Sequence, residues 1–249
     1  MMYDPLYLLF TLPAMALSAL ASFLVNSTFK RFAGVGSASR MTGAQAARRM
    51  MQFGGVSDVQ IEQIQTFLGD HYDPSSKVLR LSPDVYGGTS LSSIGVACHE
   101  AGHALQHAQK YAPLVLRSAL VPAANLGSRL GYWVLMGGMA LYAVTTSAST
   151  GTSAASKPGF ATMLIMAGIG LMSLAVIFSI VTLPVEWDAS ARARRLMVDC
   201  GIVSDSEASN ARKVLNAAFM TYIAAAVSGV MNILYFLLRT GLLGGRRRD

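Results

Sequence analysis

Long apolar runs frame one polar stretch in this chain, and the two kinds of segment predict different elements. Leu6 to Val25 is apolar enough and long enough for a membrane span. From Gly34 to Ala112 the chain turns soluble in character. There Thr42 is a candidate N-cap for a helix over Gly43–Phe53, which Gly54-Gly55 ends. Val59 to Phe67 alternates apolar and polar residues and predicts a strand, and Asp73-Pro-Ser-Ser76 reads as a turn. Lys77 to Ser82 alternates as a second strand, broken by Ser82-Pro83. A helix of small apolar residues then starts near Ser90 or Ser92.

The second half is again apolar. Leu114 to Thr146 is a span whose firm core is Leu130–Val144, and Arg117, Pro122, Asn125 and Arg129 interrupt its beginning. Thr145 to Lys157 is a small-residue loop, and Phe160 to Leu183 runs more than twenty residues without a charge. Val185–Val198 reads as a separate helix, ended by Gly201. Ser204-Asp-Ser-Glu207 fits a capping box. It opens a helix that continues through Asn216 and Tyr222 into an apolar segment ending at Leu238, either spanning or re-entrant.

Composition agrees with a membrane protein: 53% of residues are hydrophobic and 13% charged, against about a quarter charged in soluble domains. The net charge of +7 is mostly arginine beside apolar segments, so it reads as topology information rather than as a nucleic-acid footprint. Met-Met-Tyr-Asp precedes the first span while Lys30, Arg31 and Arg40 come after it. That bias predicts a retained span with its start outside and the polar stretch after it in the cytoplasm. The implied organisation is a first span over 1–26, a cytoplasmic part over 27–113, and two spans over 114–183 with an outside loop near 147–158. Cytoplasmic helices over 184–214 come next, then an apolar helix and basic tail over 215–249. Cys98 and Cys200 read as buried reduced thiols.

Candidate chemistry sits in His99-Glu100-Ala101-Gly102-His103; three of the four histidines fall between His99 and His107. On a helix, His99 and His103 lie on one face about 6 Å apart in rise. That spacing suits a shared Zn²⁺, with Glu100 beside a water in the open position. His107 lies about 12 Å beyond His99 along the same axis and cannot close on the same ion. A third ligand must come from another element, and Glu186 and Asp188 lie just after the strongest span. Pro184 there predicts a helix start with Glu186 in its first turn.

His71-Tyr-Asp-Pro74, Leu79-Arg-Leu-Ser-Pro83, the His99–His103 motif and Pro184-Val-Glu-Trp-Asp-Ala-Ser190 occur in order across most of the chain. In these pieces the chain resembles the membrane-bound zinc metallopeptidases of the YugP type, relatives of the gluzincins. The resemblance implies zinc held by His99, His103 and Glu186 with Glu100 as general base. Ser190 stands where membrane gluzincins often carry an aspartate that orients a zinc histidine, and Asp188 is the candidate to take over that role. The resemblance also implies that Lys77, Val78, Leu79, Arg80 and Leu81 form an edge strand that pairs with an extended substrate. Tyr222 is a candidate oxyanion stabiliser.

The expectation is therefore an α+β, mainly helical membrane protein. It has a zincin-like part, built of a small sheet and the motif helix, and three or four transmembrane segments. Its function reads as a zinc metalloendopeptidase of the cell membrane with its active site on the cytoplasmic side. A peptide or protein substrate and membrane lipids are its partners, with room for a regulatory membrane partner and no nucleic acid; oligomeric state carries no signal. Two rival readings remain open: a site-2-type intramembrane protease, and a non-catalytic membrane scaffold with structural zinc.

Overall fold

The computed structural model describes residues 4–66, 69–148 and 159–242. Among the described residues, seven helices and three strands run in the order α1 (Pro5–Ala33), α2 (Gly43–Phe53), β1 (Gln60–Gln63), β2 (His71–Asp73), β3 (Val78–Leu81), α3 (Pro83–Tyr86), α4 (Leu91–Ala108), α5 (Ala112–Ala148), α6 (Phe160–Asp199) and α7 (Asp205–Arg239). They form two compact units. One contains the described residues up to Ala16, Arg117–Val181 and α7 from Ala225; the other contains Leu17–Leu116 and Thr182–Ala224.

The second unit is built as its local signals dictate. The Thr42 side chain accepts from the Gln45 amide while Gln45 reaches back to the Thr42 amide, a full capping box that starts α2. Ala46, Ala47, Met50 and Met51 form its buried face. They join Leu79, Leu81, Ile94, Ala97, Cys98 and Leu105 in one core. Ser204 opens α7 with half of the expected box: its amide and hydroxyl both donate to Glu207 at 2.8 and 2.7 Å. The other Glu207 oxygen accepts from the Ala38 amide at 2.7 Å.

The sheet has the order β1-β3-β2, with β1 parallel and β2 antiparallel to β3. Two strand expectations change here. Alternation runs from Val59 to Phe67, yet the strand ends at Gln63 and its last bond to β3 is from the Ile64 amide to the Leu81 carbonyl at 2.8 Å, because β3 itself ends at Leu81; Phe67 lies outside the described residues. Val78–Leu81 is the central strand and not an edge, since β1 and β2 occupy both of its sides. Lys77 falls before it in a left-handed conformation with φ 53°.

Pro184 does not start a helix. It lies inside α6, which runs unbroken for 40 residues, about 60 Å at the helical rise. A proline removes the bond to the carbonyl four residues back, here Ile180. Helix continues on both sides of it, so α6 loses only that one internal bond. The last apolar segment lies within α7, one continuous helix of 35 residues with no internal proline.

Three described helices are long and apolar enough to cross a membrane: α1, α6 and α7. Their apolar windows are only 11%, 17% and 22% buried, and Leu9, Met15, Phe23 and Met163 are exposed. So much outward-facing apolar surface suits lipid rather than water. The helix α5 is as long as these three but is diluted by glycine and hydroxyl residues and falls outside that set. The outside loop expected near 147–158 lies mostly, and the Arg246–Arg248 tail wholly, outside the described residues.

Within the first unit, α5 and α6 approach along glycines. A Cβ on Gly168 would lie 2.5–2.6 Å from the backbone and Cβ of Leu135; one on Gly131 would lie 2.7 Å from Met172 and one on Gly138 2.7 Å from the Ile165 amide. Small residues at such crossings let helix backbones come close, which is the main source of helix association in lipid. Asp4 at the start of α1 accepts from Tyr235 at 3.2 Å and pairs with Arg239 at 3.2 Å.

Gly168→Val should lower the thermal midpoint of the detergent-solubilised protein by several degrees, corresponding to about 1–3 kcal/mol of overpacking. Gly170→Ala, where an added Cβ meets nothing within 4 Å, should leave the midpoint unchanged or raise it; equal losses for both variants would refute glycine-mediated packing.

Candidate metal centre

The helix α4 begins where Ser90 caps it, its hydroxyl accepting from the Ser93 amide at 3.1 Å. Its small residues allow close packing on several sides. Ile94, Ala97, Cys98, Ala101 and Leu105 enter the core, while His99, His103 and Gln106 meet α6. Gly102 makes that meeting feasible: a Cβ there would stand 2.7 Å from the Ala189 carbonyl oxygen of α6.

At this crossing His99, His103 and Glu186 converge, each offering a ligand atom within 4.8 Å of the others. His99 Nε2 lies 3.1 Å and His103 Nε2 3.5 Å from Glu186 Oε2. Their side chains are 11%, 9% and 1% exposed. Two imidazole nitrogens and a carboxylate are a characteristic zinc donor set. Ligands about 2.0–2.2 Å from a tetrahedral ion stand about 3.4 Å apart, close to the separations seen. The residues therefore fit the metal, and three protein ligands leave one position for water or substrate.

The outer ring nitrogens are also held. Ser190 Oγ lies 3.1 Å from His99 Nδ1, and Gln106 Oε1 lies 2.9 Å from His103 Nδ1. Ser190 thus meets a zinc-type histidine directly, one helical turn beyond Glu186. Asp188 reaches a histidine only indirectly: its carboxylate accepts from Gln106 Nε2 at 2.8 Å and from Arg192 Nε at 2.5 Å. Burial works to raise the Glu186 carboxyl, but hydrogen bonds from His103 and His99 outweigh it and hold the group well below the ordinary carboxylate range.

Glu100 faces a different neighbour. Its Oε2 accepts from the Tyr72 amide of β2 at 3.1 Å, and burial pushes its carboxyl above the usual range against the pull of His99 and His103. The Tyr72 hydroxyl meets His107 Nδ1 at 2.8 Å. His107 is thus tied to the sheet and stands apart from the ligand cluster, as its position two turns beyond His99 requires.

The strand predicted to hold substrate is otherwise engaged. Val78, Leu79 and Leu81 are buried in the core, Lys77 pairs with Asp58, and Arg80 pairs with Asp73 at 3.0 Å. With β1 and β2 on both sides, its backbone has no free edge for strand addition. Tyr222 lies half-buried on α7. Sequence reasoning passed over Gln106 and Tyr72. A signal existed for Gln106: with His99 and His103 it completes an i, i+4, i+7 polar stripe on an otherwise small, apolar helix. None existed for Tyr72, whose contact with Glu100 is made by its backbone.

Comparison with known proteins bears on this geometry. The family described as "Putative neutral zinc metallopeptidase" matches residues 7–241. The chain is similar to the Bacillus subtilis (strain 168) protein named "Putative membrane protease YugP", with 40% identity over 233 residues, 94% of this chain and 96% of the relative. No solved structure matches.

Gly102→Val should push α4 from α6 and weaken zinc binding at least tenfold, read by competition with a chromogenic chelator, because the Ala189 backbone cannot yield cheaply. Wild-type affinity in a folded Gly102→Val protein would show that the crossing does not set the ligand geometry.

Proposed function

This chain belongs to the neutral zinc metallopeptidase family, and from that premise we propose that it is an integral membrane metalloendopeptidase. In this reading His99, His103 and Glu186 hold zinc and Glu100 is the general base. The observation that carries the reading is the convergence of two Nε2 atoms and a carboxylate across the α4–α6 crossing, with the next carboxylate, Glu100, held by β2 instead of by the cluster. Bound zinc supplies Lewis-acid polarisation of the scissile carbonyl and acidifies a water.

The chain's own residues do the rest. Glu100 takes a proton from the attacking water and delivers it to the departing amine. The Tyr72 amide fixes one Glu100 oxygen and leaves the other to face the water. Ser190 and Gln106 orient the two imidazoles. Tyr222 is the proposed donor to the oxyanion. A peptide or protein is the substrate.

Two observations weigh against the rivals. The motif helix α4 is packed in the core and is not among the candidate membrane spans, unlike the motif of a site-2-type protease. Three protein ligands rather than four do not close the site, as a structural zinc would.

The site is proposed to face the cytoplasm from the cell membrane. Lys30 and Arg31 end α1, and Arg192, Arg194 and Arg195 come after the apolar part of α6. The zinc ligands on α4 and α6 lie together, so the chain between them leaves one side and returns to it. With α6 crossing once, α5 crosses once too. The Asp4–Arg239 pair supports a shared outer side for the start of α1 and the end of α7, which gives four crossings.

Glu100→Gln should keep stoichiometric zinc and cut hydrolysis of an unfolded protein such as casein by about 10²–10⁴-fold, whereas Glu186→Ala should lose the metal. Undiminished cleavage by zinc-loaded Glu100→Gln would exclude this mechanism. In a background with Cys98 and Cys200 replaced by alanine, a cysteine at Thr240 should react with an impermeant maleimide added to whole cells, and one at Ser75 only after lysis. The reverse pattern would invert the topology.

A further inference from the structure

Among the described residues of the catalytic unit, Gln106 is the one side-chain amide buried completely, at 0% exposure. Every hydrogen-bonding group it owns is directed. Its Nε2 donates to the Val185 carbonyl and to Asp188 Oδ2, both at 2.8 Å. An amide nitrogen has two protons, and both are spent on α6. The oxygen therefore faces His103 Nδ1 at 2.9 Å and can only accept. His103 must then carry a proton on Nδ1, which leaves Nε2, 3.5 Å from Glu186 Oε2, as the ring nitrogen a metal would take.

We infer that Gln106 is the positioning residue of this centre, selecting the metal-binding form of His103 and locking α4 to α6 at the level of Glu186. The inference rests on the zinc-peptidase reading above and extends it to a residue outside the His-Glu-x-x-His motif. Asp188 acts through Gln106. Its carboxylate accepts from the amide nitrogen and from Arg192 Nε, and Arg192 also donates to Gln109 Oε1 at the end of α4. A carboxylate can only accept here, so it fixes which end of the Gln106 amide faces which helix. The order His103–Gln106–Asp188–Arg192 is a chain of donors and acceptors that binds two helices together and points one imidazole. Leaving any buried member of such a chain unpaired costs more than the bond itself is worth.

This arrangement also accounts for Asp188 beside Glu186 in the sequence. Two carboxylates two residues apart on a helix face different directions. Glu186 turns to the imidazoles, and Asp188 turns to the amide that orients one of them.

The test uses full-length protein in detergent, zinc affinity by chelator competition, and the visible spectrum of the Co²⁺-loaded form. Gln106→Leu keeps the volume but neither pairs His103 nor grips α6. It should bind zinc about 10–100-fold more weakly, in the range found for outer partners of metal-bound histidines, with altered cobalt bands and retained helical content.

A purely structural role predicts that Gln106→Leu lowers the thermal midpoint while zinc affinity and the cobalt bands stay as in the wild type, and that result would overturn the inference. If Gln106→Leu does not fold, Asp188→Ala decides: weaker zinc binding with shifted cobalt bands supports the relay, and unchanged values refute it. Failure of the wild-type protein to bind zinc through His99, His103 and Glu186 would instead defeat the functional reading itself, a separate outcome.

Discussion

The close contact of α4 with α6 is the constraint on which the site depends. A zinc-type ligand set needs groups from two helices within about 3–4 Å of one another, and a glycine at this crossing lets the two backbones approach closely. Here Gly102 meets the Ala189 backbone. His99 and His103 on one side and Glu186 and Ser190 on the other flank that contact. Each pair is spaced by one helical turn, so the two turns mesh, and each histidine finds both the common carboxylate and a separate partner for its outer nitrogen.

Burying such groups is costly, and the surroundings offset the cost by pairing. No described buried side-chain nitrogen or oxygen lacks a partner. Burial raises both carboxyls, but hydrogen bonds with two imidazoles outweigh it at Glu186, whereas Glu100 stays raised beside a backbone donor. Two carboxylates within one small site are thereby shifted in opposite directions by their surroundings.

The helix α6 unites membrane and chemistry. Its first part is an uncharged apolar run and its later part carries Glu186, Asp188, Ser190 and Arg192 without an intervening break. Along the sequence Glu186 follows Leu183, the last residue of the uncharged apolar run, by three positions. On α5 and α6 the glycine contacts serve within the membrane unit the purpose that Gly102 serves at the site: backbone approach where side chains would hold helices apart.

The sequence by itself determined the elements and the chemistry of their faces. Apolar length marked α1, α6 and α7, the Thr42 capping box marked α2, and His99-Glu100-x-x-His103 on a small-residue helix marked a candidate metal-binding pair, because each of these signals is local. It also carried Glu186, through its place after the strongest span and the family resemblance of the surrounding residues. Only the tertiary structure decided what depends on partners distant along the chain. Val78–Leu81 became central because β1 and β2 claimed both its sides, and Pro184 stayed inside an unbroken α6 at the loss of one internal hydrogen bond. Gln106 and the Tyr72 amide joined the site because two folded surfaces brought them to His103 and Glu100. Local periodicity can say which face of a helix is polar, but not which group far along the chain will meet it.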